Sequence, residues 1–196
     1  MKSIILTHSS FQDQEVHYPF HRLREEGDEP LVIAERSGPI VGILGTKIEA
    51  AKTYSVLDQM QTIASLMEEH DLLVLPGGVK AMEKMRQVQP VLTFIAGWMK
   101  VDKPLACMCS GVQLLISAKA VKGRLLTCYP AFGIDAENAG AVYAEGPSVC
   151  IDRHLVTSPH YKWLTEWMLH AISITNMWKA GNKSIQRGSW GSCTAS

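Results

Sequence analysis

Two short apolar runs each break off in small residues. The stretch 71–75 carries Leu72, Leu73, Val74 and Leu75 and stops at Pro76-Gly77-Gly78. The stretch 104–108 carries Leu105, Ala106, Cys107 and Met108 and runs into Cys109-Ser110-Gly111. An apolar run without polar alternation fits a strand covered on both faces, as in a parallel sheet between helices. The rest of the chain supplies that setting. Strands are expected at 2–7, 31–34 and 39–44, and helices at 13–26, 59–70, 80–87, 90–101 and 110–120. Beyond them, short strands at 125–128, 141–143, 148–151 and 154–156 flank a helix at 132–139, and a long helix at 160–178 closes the pattern. Pro19 interrupts the first helix and predicts a kink or an irregular turn there. Alternating strand and helix is the pattern of a doubly wound α/β fold, which binds ligands beyond the carboxyl ends of its strands. The reading is one domain over 1–178, with a flexible tail over 179–196 where Gly, Ser and Asn accumulate.

Composition removes several classes of function. Basic and acidic residues number 19 each and no Lys/Arg stripe forms, so neither nucleic acid nor an anionic membrane is an expected partner. The apolar run at the amino end is too short for the core of a signal peptide, and no stretch approaches the roughly 18 residues of a membrane span. Five cysteines without small-scaffold spacing argue against a disulfide framework and for a reduced, cytoplasmic setting. No glycine-rich phosphate loop is present.

Cys109 stands where a strand turns into a helix, the setting of a nucleophile elbow, with Gly111 as the small residue at +2. Helix-start amides would aim at its sulfur and favour the thiolate. The plain alternative is a thiol that serves as one more small buried hydrophobe. Cys107 makes a C-x-C pair with Cys109, yet no second Cys/His cluster completes a metal site. Pro76-Gly77-Gly78 could free amides for an oxyanion hole or simply reverse the chain. His17 and His21 stand four apart without a third ligand and read as surface or packing residues, and Trp163 and Trp167 read as one packing face.

The segments 11–23, 73–78, 109–115, 122–131 and 155–158 together resemble the motifs of the ThiJ/PfpI family, in its order and spacing, over about residues 1–175. The resemblance implies a flavodoxin-like three-layer α/β/α sandwich with a mainly parallel central sheet. It also implies a homodimer or an assembly of dimers. Carried onto this chain, the family pattern makes Cys109 the nucleophile and Glu15 the acid that hydrogen-bonds its sulfur. It assigns Gly77 and Gly78 to the oxyanion side, with the Ser110 amide as second donor, and puts Tyr129 near the nucleophile. Glu15 could otherwise be a solvated first-turn carboxylate, and Tyr129 a packed aromatic.

The departures matter. Ser110 replaces the His that usually follows the Cys in PfpI-like members, so peptide hydrolysis is not expected. Pro159-His160 stands where an arginine is usual, and His160 either moves protons at the site or merely starts a helix. The expected activity is that of a cofactor-independent cysteine hydrolase or lyase acting on a small electrophilic carbonyl such as a 2-oxoaldehyde. Catalysis would fall to Cys109, Glu15 and Ser110, with Gly77, Gly78, Tyr129 and His160 around the substrate and no metal. Two alternatives stand beside it: an isonitrile hydratase-like enzyme, suggested by Ser110, and a non-catalytic redox-sensing or chaperone-like use of Cys109.

Overall fold

The computed structural model describes residues 1–182 and 188–190. Strand β1 (Ser3–Leu6), helix α1 (Asp13–Glu25) and strand β2 (Leu31–Ala34) open the fold. A hairpin of β3 (Gly38–Val41) and β4 (Lys47–Ala50) follows, then the short β5 (Lys52–Thr53). Helix α2 (Met60–Glu69) leads to β6 (Leu72–Leu75), helices α3 (Val79–Met85) and α4 (Gln89–Lys100), β7 (Leu105–Met108) and α5 (Val112–Ser117). The remainder comprises β8 (Leu125–Leu126), α6 (Gly133–Asn138), β9 (Val142–Tyr143), β10 (Val149–Asp152), β11 (Leu155–Ser158), α7 (Leu164–Lys179) and β12 (Gly188–Trp190).

The main sheet has the order β12-β10-β11-β7-β6-β1-β2-β5, and within it only β10 runs against its neighbours. Alternate side chains of its central strands feed two cores. Leu73, Leu75, Leu105 and Cys107 pack with Phe94, Trp98 and Leu115 from α4 and α5. Leu72, Val74, Ala106 and Met108 pack with Val16, Leu23 and Trp167 from α1 and α7. Those eight strand residues are all buried. That is why the runs carry no polar alternation: each face is covered by helices. The result is the mainly parallel three-layer α/β/α sandwich.

Local differences from expectation have physical causes. The long helix begins at Leu164 because Tyr161–Trp163 forms a tighter 3-10 turn, so Trp163 and Trp167 do not share one helical face. Trp167 is core, whereas Trp163 is half-buried. The hairpin partner β4 (Lys-Ile-Glu-Ala) offers only two apolar residues to a reader of the sequence, and both are buried. Helix α1 runs through Pro19, whose missing amide hydrogen deprives the Glu15 carbonyl of its usual partner. The tail expected over 179–196 lies mostly outside the described residues, but Gly188–Trp190 within it pairs with β10.

Candidate active site

Strand β6 pairs in parallel with both β1 and β7, so their carboxyl ends lie side by side. The chain leaves β6 as Pro76-Gly77-Gly78 and leaves β7 as Cys109, and the two turns meet. Cys109 has φ +55°, a left-handed backbone that costs a non-glycine residue roughly 1–2 kcal/mol. The surrounding packing imposes it. A Cβ at Gly111 would lie 2.7 Å from the Leu75 carbonyl oxygen and 3.0 Å from that of Pro76. Only glycine lets the new helix start so close to β6, and this closeness turns Cys109 sharply out of its strand.

Gly77 is the meeting point. A Cβ there would lie 2.5 Å from Glu15 Oε2, 3.0 Å from Cys109 Cβ and 3.0 Å from Ser110 Oγ. Acid, nucleophile and hydroxyl therefore surround one backbone position. Glu15 projects from the first turn of α1 and is wholly buried. Its Oε2 accepts the Gly77 N–H at 2.6 Å, while Oε1 has no hydrogen-bond partner among the described residues. Burial raises the Glu15 carboxyl to about 7, although the Gly77 amide and the nearby Cys109 pull it down.

The Cys109 thiol is also pushed up, first by burial and then by the negative charge of Glu15; the Ser110 amide and hydroxyl oppose the rise. The helix-start amides therefore do not by themselves make Cys109 acidic. The charge of Glu15 discourages ionisation of Cys109, whereas the Cys109 thiol favours ionisation of Glu15, so Glu15 is the first of the pair to become negative. Cys109 is partly exposed, whereas Cys107, Cys128 and Cys150 are buried, and all four are free thiols.

The two glycine amides are already engaged. Gly77 donates to Glu15, and Gly78 donates to Ser110 Oγ at 2.9 Å. As the site stands they hold the acid and the hydroxyl in place and are not open to a substrate oxygen. Ser110 is itself fully buried. Since its oxygen accepts from Gly78, its hydroxyl hydrogen is available to the sulfur.

Tyr129 is tied to the elbow through its backbone, its N–H donating to the Cys109 carbonyl at 3.4 Å, and its side chain is 40% exposed. His160 stands apart from the sulfur's immediate partners. Its ring lies 6.3 Å from that of Tyr129 with 28° between the planes, and its Nδ1 accepts the Lys162 N–H at 3.2 Å. Burial lowers the His160 pKa, so the ring is neutral at neutral pH. Tyr129 and His160 line a cleft of about 560 Å³, and Cys109 is not among the residues that line it. Among the described residues, His17 and His21 have stacked rings but belong to no cluster able to hold a metal.

One positioning residue escapes sequence reasoning. Asp13 is buried two residues before Glu15, and its carboxylate accepts the amides of Leu44 at 2.8 Å and Thr46 at 3.0 Å. It clamps the tip of the β3–β4 hairpin to the start of α1. A Cβ at Gly42 would fall 2.5 Å from this carboxylate, so that glycine makes room for the clamp. No local signal separates Asp13 from an ordinary helix-start acid.

A model of the DJ-1/PfpI family matches residues 1–174. The chain belongs to this family. This DJ-1/PfpI member is 34% identical over 172 residues to a deglycase of Pyrococcus horikoshii, covering 86% of this chain and 98% of that protein. It is also 34% identical over 157 residues to protein/nucleic acid deglycase 2 of Escherichia coli, covering 80% of this chain and 87% of that one. Among solved structures, Schizosaccharomyces pombe DJ-1 has the same fold, with a TM-score of 0.77 at 15% identity over 92% of this chain and 98% of its own. The flavodoxin-like architecture of the family is thus the architecture here.

Proposed function

We propose that this DJ-1/PfpI member is a cofactor-independent, deglycase-like enzyme in which Cys109 attacks an electrophilic carbonyl derived from a 2-oxoaldehyde. The single observation that carries this reading is the convergence of Glu15, Cys109 and Ser110 on Gly77. Relatives named as deglycases at 34% identity support the class of activity. In the first step Cys109 releases its thiol proton to solvent, its sulfur adds to the aldehyde carbon and the carbonyl π electrons move to oxygen. Glu15, carrying its proton near neutrality, donates it to that oxygen, giving a hemithioacetal. The resulting Glu15 carboxylate then takes the proton from the former aldehyde carbon and returns it at the neighbouring carbonyl carbon, while the hemithioacetal hydroxyl proton moves to the neighbouring oxygen, leaving the thioester of a 2-hydroxy acid. Water cleaves the thioester to a 2-hydroxy acid and regenerates the thiol. Gly77 and Gly78 act at one remove, by holding Glu15 and Ser110.

The isonitrile hydratase reading draws no support from Ser110, whose hydroxyl is buried and bonded to Gly78. Redox sensing by Cys109 forecasts no turnover of any carbonyl compound. The deciding experiment measures consumption of methylglyoxal, free and as an amine adduct, by the wild type, Cys109→Ala and Glu15→Gln. Loss of activity in Cys109→Ala and a fall of about a hundredfold or more in Glu15→Gln are expected. Wild-type protein without turnover, or activity that survives Cys109→Ala, would sink the reading.

A further inference from the structure

An open cavity of about 970 Å³ lies at the amino ends of β6, β1 and β2, which are neighbours in the sheet, so the length of the strands separates it from Cys109. Its walls include residues that lead into those strands: His70 before β6, Lys2 before β1 and Asp28 before β2. Asp28 is 3% exposed, and its Oδ2 has no hydrogen-bond partner among the described residues. The Ser3 hydroxyl, wholly buried at the start of β1, lacks one too. A buried carboxylate oxygen without a donor is costly in a folded protein. It calls for a group that the described residues do not supply.

We propose that this cavity binds a free aliphatic α-amino acid, with its ammonium held by Asp28 and His70 and its carboxylate by Lys2. His70 Nδ1 donates to the Leu66 carbonyl at 3.0 Å, which leaves Nε2 as an acceptor on the neutral ring. Burial lowers the His70 pKa and so keeps the ring neutral. Burial also raises the Asp28 carboxyl, and a bound ammonium supplies the charge that holds it ionised. Among the described residues no cluster here is able to hold a metal ion. One carboxylate and one neutral ring nitrogen instead suit an ammonium, which brings three donors and a single charge.

The other charges in the cavity define the rest of the ligand. Its remaining acids are already engaged: Asp71 pairs with Lys179 at 2.9 Å, Glu29 with Arg24 at 3.4 Å, and Glu69 accepts the Ser65 hydroxyl. The Met1 amino group also lines the cavity and acts on Asp28 through its charge, yet it gives Oδ2 no hydrogen bond. Lys2 is exposed, and its charge reaches His70 and disfavours a proton there. A ligand carrying only a positive charge would meet the same repulsion, whereas a zwitterion turns Lys2 into an attraction. Leu31 and Leu66 add apolar wall for an aliphatic side chain.

The test titrates the whole chain with L-leucine, L-leucinamide and N-acetyl-L-leucine while chemical shifts are followed. L-leucine should shift the signals of Leu31, Leu66 and His70 saturably. It should bind about tenfold more tightly than either single-charge analogue, the worth of one charge-assisted hydrogen bond. Asp28→Asn should weaken L-leucine about tenfold, and Lys2→Gln, at an exposed position that leaves folding intact, about two- to fivefold. Equal affinities for the three compounds, no saturation by about 10 mM, or saturation without shifts at Leu31 and Leu66 overturns the site. So does an L-leucine affinity untouched by Lys2→Gln, whether or not Asp28→Asn folds. Tighter binding of L-leucinamide than of L-leucine would mark a site for the amino terminus of a peptide and overturn it as well. Neither Cys109 nor turnover enters any of these readings.

Discussion

A carboxyl group buried as Glu15 is buried costs stability whenever it ionises, unless its charge is met by donors. Here the Gly77 amide meets one oxygen, and the carboxyl still rises from 4.5 to about 7. The sign of the linkage follows. The folded state holds this proton longer than the unfolded chain, so the resulting stability is fully present below about 4.5 and is lost as pH rises through about 7. The gap corresponds to about 3 kcal/mol. Glu15→Gln cannot ionise, so its unfolding free energy should fall less than that of the wild type between pH 5 and 7.5. Urea titrations of both proteins across that range check this, and parallel pH profiles would mean that Glu15 is not raised. The same residue explains why activity should depend on a proton near neutrality: only the protonated acid can donate to the developing oxyanion.

Helix α1 delivers Glu15 to the site, and the hairpin holds α1. Asp13 joins them through the Leu44 and Thr46 amides and the Thr46 hydroxyl. Asp13→Ala would leave these donors without their acceptor, a loss of about 2–3 kcal/mol by the usual cost of unsatisfied buried partners. Asp13→Asn keeps one acceptor oxygen and should lose less. Thermal melting orders the variants as wild type, Asn, Ala. Turnover should drop in Asp13→Ala even well below its melting temperature, because the first turn of α1 carries Glu15. An unchanged melting temperature for Asp13→Ala would show that the hairpin is held by other contacts. Pro19 adds to this design, since its ring lies buried in the helix that must present Glu15 accurately.

The homodimer implied by the family resemblance is our proposal for the whole molecule. Ile43 is 52% exposed, Leu44 70% and Val79 46%. Ile43 and Val79 line a second cleft together with Ser10, Gly42 and Lys80. Apolar side chains on a hairpin tip and on the adjacent helix start are what a partner subunit would cover, and an obligate interface would bury roughly 2,000 Å² or more. Sedimentation at low micromolar concentration should give twice the chain mass of 21.6 kDa, and Leu44→Glu should shift the species toward monomer. A single active species at 21.6 kDa would rule the dimer out.

The sequence determined the sheet and the place of the nucleophile through signals that lie within a few residues. Leu72 to Leu75 and Leu105 to Met108 are apolar without alternation because both faces are covered. Gly111 had to be small because it passes the Leu75 carbonyl. What the polar groups do with one another was decided only in three dimensions. The partners are far apart in the chain: Glu15 and Gly77 by 62 residues, Asp13 and Thr46 by 33, Gly78 and Ser110 by 32. Two amides that looked free for an oxyanion hole are taken by these distant partners. Trp163, read as part of a helical packing face, lines a cleft because a 3-10 turn precedes α7. Apolar burial follows from local pattern, whereas a hydrogen bond depends on which distant atom arrives within about 3 Å, and that is set by the packing of the whole sandwich.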